Sequence, residues 1–197
     1  MADLKKAAEN LKELGYTVHI FETKEAAADY LDSAIDQSTV GFGGCQTAQE
    51  MGLYERLGTH NEVHWHWVGG LEERIHSMNT KTYITSANAL AESGEIINID
   101  GAGNRVASTL FGHETVYFVI GRNKLAEDFD KALWRARNVA APKRAASMGR
   151  KTPCAVNADK CYNCKSPDRI CRGMSVLWAP MAGCEAEVIL IDEDLGM

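Results

Sequence analysis

Residues 84–107, ITSANALAESGEIINIDGAGNRVA, contain the pattern that decides the fold. Two short apolar runs, Thr82–Thr85 and Glu95–Ile99, lead into small and polar residues. Runs of this length that are rich in β-branched residues predict buried strands. Gly101 and Gly103 follow the second run, where they permit a sharp turn and a close backbone approach to a ligand. The stretch therefore predicts two buried strands, each followed by a loop that can carry function.

Polar side chains follow both predicted strands directly. Asn88 comes after the first strand, and Asp100, Asn104 and Arg105 come after the second. A carboxylate, an amide and a guanidinium this close to one strand end are typical of a small-molecule site. The alternative is an Asx-turn beside a surface arginine.

A second segment of this kind is VGFGGCQTAQE, residues 40–50, which predicts a strand followed by a helix. Gly43 and Gly44 leave free backbone N–H groups before the helix, and such groups suit phosphate or carboxylate. Cys45 and Thr47 follow as small side chains that can form hydrogen bonds. Alternatively, Thr47 is only the helix N-cap, and Glu50 completes a capping box with it.

The third such segment is the apolar run Thr115–Ile120, which predicts a strand followed by Arg122 and Lys124. Ligands of open α/β sheets gather at the carboxyl ends of the strands, so the three strand ends are expected to converge on one pocket. Arg105, Arg122 and Lys124 would make that pocket attractive to a phosphorylated or carboxylated molecule.

The chain as a whole alternates between predicted helices and strands, from a helix over residues 3–14 to a last strand at Ala186–Ile191. This alternation predicts an α/β fold with a mostly parallel sheet and helices on both faces. No repeat or linker divides the chain, so residues 1–197 are expected to form a single domain. An irregular cysteine-rich loop, residues 151–172, is expected to be inserted before the last strand.

Four motifs carry a family resemblance that extends from about Leu31 to Gly196. They are SANALAESGEIINIDGAGNRVA (86–107), GFGGCQTAQEMGL (41–53), GRNK (121–124) and PCAVNADKCYNCKSPDRIC (153–171). Together they resemble the LUD family of lactate-utilisation proteins. The resemblance implies a NagB/RpiA/CoA-transferase-like fold, akin to ribose-5-phosphate isomerase and glucosamine-6-phosphate deaminase. It also implies a link to oxidative use of L-lactate.

The same resemblance suggests a role for Asp100. In the sugar-phosphate enzymes of that fold group, a glycine-rich first loop holds phosphate and a later acid at a strand end transfers protons. Gly43–Thr47 and Asp100 occupy similar places in order, so Asp100 is the acid–base candidate by analogy. No nicotinamide or flavin fingerprint is present, and no nucleotide cofactor is predicted.

Composition and the distribution of apolar residues argue against several classes of function. The 197 residues carry a net charge of −6, which argues against a nucleic-acid surface. No apolar run is long enough to span a bilayer, and the N-terminus lacks a signal-peptide core. The protein is therefore expected to be cytoplasmic, without membrane or nucleic-acid partners, and its six cysteines are expected to stay reduced.

Four of these cysteines, Cys154, Cys161, Cys164 and Cys171, have the spacing C-x6-C-x2-C-x6-C. Four thiolates around one ion would order a loop that has little apolar surface of its own. Structural zinc is the first candidate cofactor, because the central pair has zinc-knuckle spacing. An iron–sulfur cluster takes the same ligands and is the alternative. Free thiols, or a disulfide formed on oxidation, are the third interpretation.

The segment VHWHWV, residues 63–68, predicts a strand with alternating faces. His64 and His66 would share one face, where they are expected to be packed or solvated rather than bound to metal. Trp65 and Trp67 would share the other face, and an exposed tryptophan face is compatible with a homo-oligomer. Further along, a helix is predicted at Asp128–Val139 with its arginines in solvent.

Two hypotheses of function follow, together with a weaker third. The first is a LUD-family protein of lactate or organic-acid metabolism with a pocket for a small anionic metabolite, and whether it is an enzyme is left open. The second is a non-catalytic accessory subunit that partners the iron–sulfur oxidoreductase subunits of a lactate oxidation complex. The third is a redox or metal sensor that acts through the four cysteines.

Overall fold

The computed structural model describes residues 2–197. Its strands are β1 (Thr17–Phe21), β2 (Thr39–Phe42), β3 (Glu62–Trp65), β4 (Thr82–Thr85), β5 (Ala89–Ala91), β6 (Ile96–Asp100), β7 (Thr115–Gly121), β8 (Leu125–Ala126), β9 (Gly173–Leu177) and β10 (Glu185–Ile191). Its α-helices are α1 (Leu4–Glu13), α2 (Lys24–Ala34), α3 (Gln46–Glu50), α4 (Leu53–Leu57), α5 (Glu73–Ser77), α6 (Asn104–Leu110), α7 (Phe129–Arg135), α8 (Ala141–Ser147) and α9 (Pro153–Asn157).

The larger sheet has six strands in the order β1-β10-β7-β4-β2-β3, and every neighbouring pair is parallel. The carboxyl ends of all six strands therefore lie along one edge. The segments that follow β2, β3, β4 and β7 meet at that edge, although they are far apart in the chain. The predicted α/β fold with a mostly parallel sheet is confirmed.

Apolar side chains cover both faces of this sheet. Along β10, Val188 and Leu190 belong to one core with α1, whereas Ile189 and Ile191 belong to the other core with α2, α3 and α4. Because successive side chains of a strand point to opposite faces, a strand buried on both faces reads as a continuous apolar run. The segment VILI, residues 188–191, shows this pattern in the sequence.

A second sheet, in the order β8-β5-β6-β9, was not predicted. Its strand β5 consists of Ala89–Ala91, a three-residue segment with weak strand propensity. Ala89 and Ala91 pack with Ile97 of β6 and with Ala132 and Ala136 of the helical segment after β8. Their small side chains let that segment approach closely, so tertiary packing and not local propensity forms this strand.

The segment after β8 and the cysteine-rich loop both differ from the prediction. Helix α7 continues through one π-helical stretch, Ala136–Ala140, into α8, so the helical segment extends well beyond Val139. The loop of residues 151–172 is irregular apart from the short helix α9. Two strands follow it rather than one, because β9 pairs with β6 in the smaller sheet. None of the helices formed by residues 2–197 is both long and apolar enough to cross a bilayer.

Candidate functional site

A cavity of about 580 Å³ lies at the carboxyl edge of the larger sheet, and we call it the strand-edge cavity. Eight of the eleven side chains predicted for a pocket line it: Gly44, Cys45, Asn88, Asp100, Gly101, Asn104, Arg105 and Lys124. Thr47 lies directly behind this wall, where it contacts Lys124, and a Cβ added at Gly43 would lie only 3.0 Å from Arg105 Cγ. Three separate strand ends thus contribute to one cavity.

Lys124 is the most deeply buried charged group of the cavity, with 3% of its surface exposed. Its Nζ donates to Thr47 Oγ1 and to Ser86 Oγ, both at 2.7 Å. Burial lowers the pKa of Lys124 from 10.5 to about 8, and the charges of Arg135 and Arg105 act in the same direction. A lysine with this pKa exchanges its proton readily near neutral pH.

Arg105 is held firmly against the wall beside Lys124. Its guanidinium donates to Asn98 Oδ1, to Asn88 Oδ1 at 3.2 Å and to the Ile99 carbonyl oxygen at 2.7 Å. The Asn88 side chain also accepts from Ile99 N at 2.6 Å, which ties the end of β4 to the end of β6. These contacts fix the guanidinium in one orientation before any ligand arrives.

Asp100 closes the tight turn that follows β6. Its Oδ1 accepts from the backbone N–H groups of residues 101, 102 and 103, and its Oδ2 accepts from Val106 N at 3.1 Å. Burial raises the pKa of Asp100, but the Arg105 charge and these N–H donors outweigh it, so the pKa is lowered. A carboxylate held in this way anchors the loop, and the contacts favour anchoring over proton donation. The acid–base role of Asp100 stays a prediction.

The first loop departs from the predicted capping box. Cys45, not Thr47, is the N-cap of α3, and its Sγ accepts from Ala48 N at 3.3 Å. Thr47 lies within the helix, where its hydroxyl accepts from Lys124. Burial raises the pKa of the Cys45 thiol, so it is protonated at neutral pH and is not an activated nucleophile. Both residues shape the cavity wall.

Most of the cationic side chains that line the cavity were not predicted from the sequence. Five further arginines, contributed by α5, α8 and the cysteine-rich loop with its flanking residues, surround the cavity: Arg74, Arg144, Arg150, Arg169 and Arg172. Arg144 lies over the Trp67 ring, with its guanidinium carbon 4.7 Å from the ring centroid. No local pattern distinguishes these residues from solvated arginines, because they reach the cavity only through the fold.

Three buried atoms of side chains that line this cavity have no hydrogen-bond partner among residues 2–197, namely His66 Nδ1, Arg74 Nε and Arg169 Nε. Burial lowers the pKa of His66, and the charges of Arg74 and Arg144 lower it further. Buried polar atoms without a partner are uncommon in folded proteins, and a bound ligand is one way to satisfy them.

Two further arginines differ from what the sequence predicts: Arg122 lies outside the cavity, and Arg135 is half-buried beside Asn88. Arg122 does not line the cavity, because its side chain is 53% exposed and pairs with Asp194 and Asp192. Arg135, expected in solvent, instead donates to the carbonyl oxygens of Asn123 and Asn88, and burial lowers its pKa to about 10. The prediction for Arg135 is therefore wrong.

Trp65 and Trp67 do not form the exposed face that would be compatible with a homo-oligomer, because Trp65 is buried and Trp67 is half-buried. Trp65 is 3% exposed, and its Nε1 donates to the Gly43 carbonyl oxygen at 2.8 Å. Trp67 stacks on it with ring centroids 5.1 Å apart and lines the strand-edge cavity. The strand ends at Trp65, so His66 lies beyond it. His64 pairs instead with Glu73, at 2.7 Å from Nδ1 to Oε2.

The four cysteines line a second cavity of about 300 Å³, which we call the cysteine cavity. A tetrahedral zinc ion with Zn–S bonds of 2.3 Å brings its sulfurs to about 3.8 Å from one another. Among residues 2–197, the one group of three or more histidine, cysteine or acidic side chains with ligand atoms within 4.8 Å is His64, Glu73 and His76. The predicted zinc ligands therefore share a cavity but do not form an ion-sized cluster.

The fold and this site define an α/β protein in which the carboxyl edge of a parallel sheet borders a cavity rich in arginine and lysine. A family model for the LUD domain matches residues 4–191, and the chain belongs to that family. Membership implies a role related to lactate utilisation. A comparison with curated proteins finds no match. The chain is similar in fold to the crystal structure of a DUF162 family protein from Deinococcus radiodurans, with a TM-score of 0.53, 9% identity and 95% of each chain covered.

Proposed function

We propose that this LUD-domain protein binds a small carboxylate- or phosphate-bearing metabolite in the strand-edge cavity and acts in lactate or related organic-acid metabolism. The observation that carries the proposal is the concentration of cations there. Seven cationic side chains line the cavity, against two acidic ones: Arg74, Arg105, Lys124, Arg144, Arg150, Arg169 and Arg172, and Asp100 and Asp168. The chain as a whole has a net charge of −6.

The two carboxylates offset only part of the positive charge of these seven side chains. Asp100 is occupied by backbone N–H groups, and Asp168 accepts from Lys151 N and lies 3.5 Å from Arg150. Guanidinium groups present paired donors that match carboxylate and phosphate oxygens. Arg144, which is held by the Trp67 ring, provides an ordered donor. Arg105 contributes its positive charge, because its terminal N–H groups already donate to protein oxygens.

We assign proton transfer, if the bound metabolite reacts, to Lys124 in preference to Asp100. A pKa of about 8 leaves about a quarter of the amines unprotonated at pH 7.5, so the group can accept a proton and return it. The arginines would hold the anionic end of the metabolite while its hydroxyl or carbon-bound hydrogen faces the amine. Asp100 keeps the loop in place.

The test is calorimetric titration of the protein with inorganic phosphate and with L-lactate, using Arg144→Met and Arg122→Met as a matched pair. Arg144 lines the cavity, whereas Arg122 pairs with Asp192 and Asp194 outside it. Losing one guanidinium contact of about 1.4 kcal/mol weakens binding about tenfold in Arg144→Met. Arg122→Met should bind as the unmodified protein does. Equal affinities in both variants would refute the proposal.

A second candidate function is that of an accessory subunit of an iron–sulfur lactate oxidation complex. The cysteine cavity favours it, because it lies directly beside the strand-edge cavity and shares wall residues with it. Lys124→Met separates the two functions. Under the first, turnover of the metabolite is lost while the fold survives. Under the second, the variant still assembles with its partner, and there is no turnover to lose.

A further inference from the structure

Four cysteines that do not line the strand-edge cavity line one neighbouring cavity. Cys154 lies in α9, Cys161 and Cys164 lie in the irregular segment after it, and Cys171 lies just before β9. All four are partly exposed and none forms a disulfide. Thiols separated by up to seventeen positions in sequence thus line the same cavity, together with apolar side chains such as Leu133, Ile170 and Met174.

The size of this cavity fits a group of several atoms better than a single ion. A single tetrahedral zinc ion holds its four thiolates about 3.8 Å from one another. Here the space is about 300 Å³, whereas one water needs only about 10–15 Å³ of such volume. No three of the cysteine thiols lie within 4.8 Å of one another in the described chain. A cluster of four irons and four sulfides holds its thiolates farther apart than one ion does.

The charges around the cavity suit an anionic cluster. Arg169 Nη2 donates to Cys171 Sγ at 3.4 Å, and Arg137 Nη2 lies 4.0 Å from Cys161 Sγ. The backbone N–H of Asn163 also donates to Cys161 Sγ, at 3.4 Å. Four thiolates outweigh the positive charge of a cluster core, so cationic neighbours and N–H donors to sulfur stabilise the assembly and tune its potential.

We propose that Cys154, Cys161, Cys164 and Cys171 hold a [4Fe–4S] cluster in the cysteine cavity. Each thiol loses its proton and binds one iron, which leaves all four irons fully ligated by protein and sulfide. The cluster lies against the strand-edge cavity, because Arg169 and Arg172 line both. This inference goes beyond the proposed function and does not depend on which metabolite binds.

The test is metal and sulfide analysis of the full chain purified without air from iron-replete cells. We expect about four irons and four acid-labile sulfides per chain, with a broad visible absorbance that bleaches on reduction. Cys164→Ser should lose most of this iron and absorbance. Cys184→Ser is the matched control, because Cys184 lies outside the cysteine cavity and donates to a backbone carbonyl oxygen. It should retain both.

Several outcomes would overturn the proposal. About one zinc per chain without visible absorbance would show a zinc site, and protein free of metal and sulfide would show free thiols. Iron that persists in Cys164→Ser, or that is lost equally in Cys184→Ser, would show adventitious binding. The metal and sulfide content of the unmodified protein distinguishes a cluster from a zinc site or free thiols even if a variant fails to fold. Phosphate titration of the same samples tests the strand-edge cavity separately.

Discussion

The buried Lys124 makes the stability of this protein depend on pH in a specific way. Because the folded state lowers the pKa of this lysine from 10.5 to about 8, the unfolded chain binds the proton more tightly. Protonation therefore favours unfolding, and the contribution of Lys124 to the free energy of unfolding rises as the pH rises from 8 towards 10.5. At about 1.4 kcal/mol per pH unit, the charged amine costs about 3 kcal/mol at pH 7.

The perturbation is Lys124→Met, which fills a similar volume and removes the charge. Urea denaturation is measured for both proteins at several pH values between 7 and 10. Other titrating groups cancel when the two free energies of unfolding are subtracted at each pH. We expect the advantage of Lys124→Met over the unmodified protein to fall by about 2.5 kcal/mol from pH 7 to pH 10, mostly above pH 8. The hydrogen bonds lost to Thr47 and Ser86 shift the whole curve without changing its shape.

Lys143→Met is the matched control, because Lys143 is exposed on α8. Its difference curve should be flat within about 0.5 kcal/mol. Parallel curves for Lys124→Met and the unmodified protein would refute the reasoning, because they would show that Lys124 keeps an ordinary pKa in the folded state.

Two further predictions concern the loop after β6. Asp100→Asn places an amide N–H₂ where a carboxylate accepts N–H groups, so we expect a loss of about 2 kcal/mol in the free energy of unfolding with phosphate binding retained or tightened. Gly101→Ala puts a Cβ 2.7 Å from a carbonyl oxygen of the cysteine-rich loop and should cost about 1–3 kcal/mol. Gly173→Ala, whose Cβ meets no atom within 4 Å, should cost under about 0.5 kcal/mol.

Each of these predictions has a clear contrary result. If Asp100→Asn unfolds at the same urea concentration as the unmodified protein but loses turnover of a bound metabolite, Asp100 acts in proton transfer and not as an anchor. If Gly101→Ala and Gly173→Ala have the same stability, the loop after β6 does not depend on its close packing against the cysteine-rich loop.

The sequence by itself determined that the fold contains a parallel sheet and where several of its strands lie. Thr82–Thr85 is a strand with the predicted bounds, because a buried parallel strand needs a short apolar run and little else. Parallel pairing then brings all strand ends to one edge, so polar residues placed just after a strand meet there. Asn88 and Lys124 reach the strand-edge cavity for this reason.

Only the tertiary structure decided which cations face that cavity. Arg122 and Lys124 are two positions apart at one strand end, yet Arg122 pairs with exposed aspartates and Lys124 is buried. Arg144 and Arg169 come from a helix and an irregular segment that carry no strand-end signal. In every case the sequence shows only that a cationic side chain is present. The direction in which each of these side chains points depends on how the helices and strands pack. Packing also forms the strand Ala89–Ala91, because alanine itself has little preference for a strand.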